Sequence, residues 1–363
     1  MSFLDNILGR NGAGLAIDLG TANTLVATRE AGILINEPSV VAIDRDKNRV
    51  LAVGADAKRM LGRTPGNIEA IKPMRDGVIA DFDVTEAMLR YFIGKACGDK
   101  KGLLAPRPRV VIGIPSGVTS VEKRAVFEAA LQAGASQAFL IEEPMAAAIG
   151  AELPVEEPTG SLVVDIGGGT AEVAVISMGG IVVSRSVRVG GNAFDRAILE
   201  MVRDTYGLNI GERTAEIIKI KVGSAAPLDR ELDVEVNGRD TVTGMPKTVR
   251  IESEEVRRAI QDPIKAIVKV VHEVLDATPP DIASDIRYYG ILLSGGGGML
   301  RGLDRRLREE TGVPVNVSPT ALENVVKGCM AVLDANALSG SYTQASALVL
   351  LRGRCDQTSQ PWG

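Results

Sequence analysis

Two apolar runs that each end in an aspartate and a glycine turn constrain this chain more than anything else in it. They are LAIDLGTANTLVA at residues 15–27 and SLVVDIGGGTAEVAVI at 161–176. In each, a run that reads as a buried strand closes on a carboxylate (Asp18, Asp165), turns through glycine and hydroxyl residues, and becomes apolar again. One such segment reads equally as a β-hairpin with a polar turn. Two of them in matching surroundings read as copies of one unit. Residues 14–43 give three strand-like runs with tight turns, GLAIDLG, NTLVATRE and GILINEPSVVAI. From 161 the order returns as SLVVDIGGG, AEVAVISMGG and IVVSRSVRVGG. RVVIGIPSG and YYGILLSGGGG each add a buried strand followed by a helix. Asp18 and Asp165 stand 147 positions apart and Ser116 and Ser294 178 apart, so order and approximate spacing agree.

Alternation of strand-like and helix-periodic segments predicts an α/β protein. VTEAMLRYFIGKAC, for example, puts Val84, Met88, Leu89 and Phe92 on one helical face. The chain's 363 residues suffice for two lobes with sizeable cores. We expect lobe I over about 13–153, with a small inserted subdomain at about 38–77. Lobe II is expected over about 154–323, with its own inserted subdomain at about 191–245. A helix at about 324–340 would return to lobe I, before a partly disordered tail at 341–363.

Composition excludes several classes. A net charge of −5 and 3% aromatic residues argue against a nucleic-acid surface, which needs clustered cations and stacking platforms. Cys97, Cys329 and Cys355 have neither zinc-ligand nor redox-motif spacing. No run reaches the ~20 apolar residues of a membrane span, and no signal-peptide pattern opens the chain. A cytoplasmic protein is expected.

The turns carry the chemistry. Gly20 and Gly167 to Gly169 let backbone N–H groups approach an anion closely, and Thr21, Thr24 and Thr170 add hydroxyl donors. Two such turns facing each other would grip a polyphosphate. Asp18 and Asp165 beside it require a cation, so Mg²⁺ is expected, held largely through water. IEEPMAAAIG places Glu142 and Glu143 at a strand end, before a helix expected to start at Pro144. Acidic groups there favour a helix N-terminus in any case, or one of them orients a hydrolytic water. His272 reads as a helix-face residue. In LLSGGGGML the four glycines let backbone approach a flat or anionic group. Spacing alone makes Glu212, Glu216 and Lys219 a solvated helix face.

The order DLGTANT, EEP, DIGGGT, SGGGG resembles the actin, sugar-kinase and heat-shock-chaperone superfamily of ATPases. INEPSVVA, MLGRTPGNIEAIKPMRDGVIADF, EEPMAAAIGA, VVDIGGGTAEVAV, SRSVRVGG and ATPPDIASDI are more closely similar to the MreB family, the bacterial actins of cell shape. The resemblance runs from about residue 14 to about 334. It implies a duplicated actin-like, ribonuclease H-like fold whose two lobes enclose ATP or ADP with Mg²⁺. It further implies that Thr21, Ala22, Asn23, Gly168, Gly169 and Thr170 contact phosphate, and that Glu143, helped by Thr170, positions the hydrolytic water. Glu216 and Lys219 would flank ribose and base, Gly295, Gly296, Gly297 and Gly298 would pack on the adenine side, and Asp18 and Asp165 would hold the hydrated Mg²⁺. The helix carrying Glu216 departs from the family in ending KIKVG, not Lys-Lys-Glu-Ile-Gly.

The function implied is a slow ATPase that forms a homopolymer, with paired protofilaments, on the inner face of the cell membrane. It would work with cell-wall elongation proteins such as MreC, MreD and RodZ, and without nucleic acid. A small-molecule kinase or a chaperone-type ATPase of the same superfamily are the alternatives. In MSFLDNILGR, Phe3, Leu4, Ile7 and Leu8 share one helical face, which predicts an amphipathic membrane segment over residues 1–12. Leu103 and Leu104 in KKGLLAP are the alternative apolar contact.

Overall fold

The structure, a computed structural model, describes residues 14–47, 49–98, 107–338 and 348–349. The first lobe runs β1 (Gly14–Leu19), β2 (Asn23–Thr28), β3 (Gly32–Pro38), β4 (Val41–Asp44), β5 (Arg49–Val53), α1 (Ala55–Met60), β6 (Ile68–Ile71), β7 (Met74–Arg75), β8 (Val78–Ile79), α2 (Phe82–Ala96), β9 (Arg109–Ile114), α3 (Ser120–Gln132), β10 (Gln137–Glu142) and α4 (Glu143–Gly150). The second runs β11 (Ser161–Ile166), β12 (Ala171–Ser177), β13 (Gly180–Val187), α5 (Gly191–Tyr206), β14 (Leu208–Asn209), α6 (Glu212–Val222), β15 (Asp233–Asp240), β16 (Pro246–Glu252), α7 (Ser253–Ala259), α8 (Gln261–Asp276), α9 (Pro280–Tyr289), β17 (Ile291–Ser294), α10 (Gly295–Gly298), α11 (Leu303–Thr311) and β18 (Val315–Val317). The helix α12 (Asn324–Leu338) and the short strand β19 (Leu348–Val349) follow.

The duplication is visible in the sheets. One has the order β19-β10-β9-β1-β2-β3, the other β13-β12-β11-β17-β18. In both, three strands form an antiparallel meander, and two more lie parallel to the first of them. Helices cover both faces, which is why β11 is buried along its whole length and reads as a continuous apolar run. Register corrects one expectation: Asp18 pairs with Gly113 on β9, and Asp165 with Ser294 on β17. The counterpart of Ser294 is therefore Gly113, and Ser116 lies three residues beyond it.

Two further boundaries differ from the sequence reading. GILINEPSVVAI is two strands in two sheets, β3 and β4, because Ser39 turns inward between them. The helix after EEP starts at Glu143, with Glu142 as its N-cap. Among the described residues three small sheets stand beside the main ones: β5-β4-β6, flanked by α1, β14-β15-β16, flanked by α6 and α7, and the two-stranded β7-β8. The expected amphipathic segment, with Phe3, Leu4, Ile7 and Leu8, lies outside the described residues. So do Leu103, Leu104 and all of the expected tail except Leu348 and Val349.

Each lobe has its own apolar core. A third cluster joins them: Ala16 and Val111 of the first sheet, Val163 and Ile176 of the second, and α4 and α12 between. The two helices cross at backbone contact. A Cβ on Gly328 would stand 1.9 Å from Ala146 O, and one on Gly150 would stand 1.9 Å from Asn324 O. The alanines of EEPMAAAIG are thus a packing surface for α12, which brings the chain back onto the first lobe.

Because backbone cannot yield as a flexible side chain does, Gly328→Ala should destabilise by about 3 kcal/mol or more. Thermal unfolding followed by circular dichroism should show a melting temperature lower by several degrees. Gly66→Ala, where nothing lies within 4 Å, should leave it nearly unchanged.

Candidate functional site

The β1–β2 turn and the β11–β12 turn face each other across the boundary between the lobes. They meet at van der Waals contact: a Cβ on Gly168 would stand 2.6 Å from Ala22 Cβ, and one on Gly169 2.7 Å from Thr21 Oγ1. Glycine is required there because any side chain would push the turns apart. The cleft they border has about 700 Å³ of open space. Its walls include Asp18, Thr21, Ala22, Asn23, Glu143 and Asp165, together with Gly168, Gly169, Thr170, Gly295 and Gly296. The structure therefore brings together most of the residues singled out in the sequence.

Each turn is braced from behind. Ser39 Oγ lies 2.6 Å from Gly20 O and 2.9 Å from Thr24 Oγ1, and Ser39 N donates to Ala22 O at 3.0 Å. Thr24 is fully buried in this brace, so its hydroxyl is not the cleft donor the sequence suggested. Gly77 N donates to Thr21 Oγ1 at 3.2 Å. The second turn is held by α5, where Gly191 N donates to Gly167 O and Asn192 N to Gly168 O. Ser39 and Gly77 are bracing positions that sequence reasoning missed. Ser39 sits in INEPSVVA, where it looked like one more strand residue.

Four of the expected contact residues are not among those that line this cleft. Gly297 and Gly298 are packed on the sheet: a Cβ on Gly297 would meet Ile166, and one on Gly298 would meet Leu293. Glu216 on α6 is engaged by Lys58 of the other lobe at 2.8 Å, and Lys72 reaches Glu212 at 2.7 Å, so two ion pairs span the lobes. Lys219 pairs with Asp195 at 2.9 Å and donates to Gly191 O at 3.1 Å, which ties it to the second turn's support. Glu142 does not line the cleft and faces Lys123 at 3.7 Å. His272 is on α8 and does not line the cleft.

The electrostatics are strained. Burial, then the nearby Asp165, pushes the Asp18 carboxyl up to about 7. Burial raises Asp165 to about 6, opposed by hydrogen bonding to Ser294. Glu143 is held well above the usual carboxylate range by burial first, then by Asp18, Glu172 and Asp165. Glu172, beneath the second turn, is raised to about 7, again mainly by burial. Acidic groups crowded in this way favour a cation among them. Asp165 Oδ1 is buried without a hydrogen-bond partner. Among the described residues, no three acidic, histidine or cysteine side chains are close enough to enclose a metal directly. The site fits Mg²⁺ reached through water, with Asp18 and Asp165 as its carboxylate partners.

Comparison with known proteins agrees with this architecture. The pattern of the MreB/Mbl protein family matches residues 12–340. The cell shape-determining protein MreB of Escherichia coli (strain K12) is 55% identical over 318 residues, 86% of this chain and 91% of that protein. The cell shape-determining protein Mbl of Bacillus subtilis (strain 168) is 49% identical over 320 residues, 88% of this chain and 95% of that one. Among solved structures, MreB5 of Spiroplasma citri bound to ADP superimposes with a TM-score of 0.84 at 36% identity, over 90% of this chain and 98% of that one. The MamK double helical filament shares the fold at a TM-score of 0.75 and 20% identity, over 88% of this chain and 98% of that one. With its duplicated sheets, its facing glycine turns and these identities along most of its length, the chain belongs to the MreB/Mbl family and has the two-lobed actin-like fold.

Proposed function

We propose that this protein is an ATP-binding bacterial actin that polymerises into membrane-associated filaments and organises lateral cell-wall synthesis to set rod shape. The observation that carries the reading is the meeting of two glycine turns, one from each copy of the duplicated unit, over a cleft that Glu143 also lines. Its relatives support it: the Escherichia coli protein is cell shape-determining, and MreB5 of Spiroplasma citri was solved with ADP and with AMPPNP.

In this mechanism the backbone N–H groups of both turns hold the phosphates, with Thr21, Ala22 and Asn23 on one side and Gly168, Gly169 and Thr170 on the other. Mg²⁺, when bound, supplies neutralisation of phosphate charge, and Asp18 and Asp165 are the residues that hold it through water. Glu143, its proton affinity raised by its surroundings, accepts a hydrogen bond from the attacking water and then its proton. Gly295 and Gly296 border the adenosine end. Glu216 and Lys219 reach ribose and base only by exchanging Lys58 and Asp195 for the nucleotide. Nucleotide bridging both lobes favours the closed form, and hydrolysis removes that bridge. A head-to-tail contact that does not close into a ring then propagates as a filament. The amphipathic residues 1–12 anchor each subunit weakly, and the filament multiplies that attachment.

Purified protein with Mg·ATP should form filaments visible by electron microscopy and pelletable by sedimentation. Soluble protein under all nucleotide conditions would overturn the reading. Glu143→Ala should keep ATP binding but slow single-turnover phosphate release by about 10²-fold or more. An unchanged rate would remove Glu143 from the mechanism. Asp165→Ala should weaken Mg·ATP much more than metal-free ATP in paired titrations, and equal losses would argue against a metal role. Protein lacking residues 1–10 should pellet with anionic liposomes less than the full chain does. Equal pelleting would move the anchor to Leu103 and Leu104.

A further inference from the structure

Glu172 is the one charged residue of β12, a strand otherwise apolar but for its terminal serine, and it is fully buried. An acid there is costly, since an isolated buried carboxylate loses its hydration without return. Its partners explain its presence. One oxygen accepts from Ser186 Oγ at 2.5 Å, on the neighbouring strand of the same lobe. The other accepts from Ser116 N at 3.2 Å, in the segment that follows β9 of the opposite lobe. One carboxylate therefore ties the two lobes together.

The tie lies between the residues whose relative position decides hydrolysis. On the first lobe, β9 and β10 are parallel neighbours with Ile141 opposite Gly113 and Glu142 opposite Ile114. Ser116 is two residues beyond Ile114, and Glu143 is one beyond Glu142, so a restraint on the end of β9 is a restraint on Glu143. On the second lobe, Thr170 ends the turn immediately before β12 and precedes Glu172 by two residues. Only a glycine's width separates the two sides: a Cβ on Gly77 would stand 2.8 Å from Pro115 Cγ and 2.9 Å from Thr170 Cγ2. Gly117 packs on Ser186 in the same layer, with a Cβ there 3.4 Å from the Ser186 Cβ.

We propose that Glu172 is a positioning residue for ATP hydrolysis: it pins the Ser116 end of β9 to β12 and so fixes Glu143 of one lobe against Thr170 of the other. This rests on the ATPase reading above. A single tie of this kind acts on the reaction geometry more than on ground-state affinity, because the phosphates are held by the glycine turns.

The test compares Glu172→Ala, Glu172→Gln and Ser186→Ala with the unaltered chain and with Glu143→Ala. Four quantities are read: single-turnover hydrolysis, Mg·ATP affinity, melting temperature, and amide hydrogen exchange over residues 109–119. Glu172→Ala should slow hydrolysis tenfold or more while the dissociation constant stays within threefold, and should speed exchange at Ser116 and Gly117. Glu172→Gln should recover most of the rate, because its amide oxygen still accepts from Ser116 N and its amide nitrogen can donate to Ser186 Oγ. If Glu172→Ala does not fold, Ser186→Ala carries the test, with an expected loss of about threefold and the same split between rate and affinity. Unchanged hydrolysis in Glu172→Ala, or a fall in rate matched by falls in affinity and melting temperature, would overturn the positioning role. So would a glutamine variant as slow as the alanine variant. An unaltered chain that hydrolyses no ATP would instead overturn the reading on which the proposal rests, and the proposal with it.

Discussion

Everything in this molecule is arranged around two backbone turns that approach each other to van der Waals contact across a lobe boundary. Gly168 meets Ala22 and Gly169 meets Thr21 with no room for a β-carbon on either glycine. That approach requires both sheets to present the same edge of the same strand pair, which the duplicated order of strands ensures. It also requires the turns to be stiff. Ser39 behind one, and the backbone at the start of α5 behind the other, supply that stiffness with hydrogen bonds made inside each lobe. The facing turns are thus held in place by contacts within each lobe.

The lobes are joined in two physically different ways. Under the cleft, α4 and α12 share an apolar cluster with both sheets, and their glycine crossing leaves little freedom. Toward α6 the connection is polar: Lys58–Glu216 and Lys72–Glu212 are partly exposed ion pairs. Exposed pairs of this type contribute about 0–1 kcal/mol each. A firm base and a weak outer edge are what a hinged cleft needs, since the outer contacts can exchange for a ligand at small cost.

The cleft also holds crowded carboxyl groups. Asp165 raises the proton affinity of Asp18, and Asp18, Glu172 and Asp165 raise that of Glu143, on top of the larger effect of burial. Buried ionisable groups without partners are destabilising, and carboxylates crowded in this way favour a cation among them.

Much of this was legible from residue order. The repeated strand, aspartate and glycine turn announced the duplication, because a buried strand ending in a carboxylate has few uses. EEPMAAAIG announced a helix after a strand end through its proline. What residue order left open was which side chains turn inward. Thr24 and Thr21 have the same chemistry three positions apart and both are buried, yet Thr24 turns to Ser39, fifteen residues later, while Thr21 lines the cleft. Glu216 and Lys219 stood on a helix of unknown facing until Lys58 and Asp195 were seen to engage them. Ser294 was matched to Ser116 by spacing, and strand register moved the match to Gly113. Glu172 lay in a quoted motif without a role, because its partner Ser116 belongs to the other lobe. Local periodicity and turn chemistry determine elements, and these the sequence by itself determined. Contacts between residues far apart in the chain exist only once the lobes have closed on each other, and these the tertiary structure alone decided.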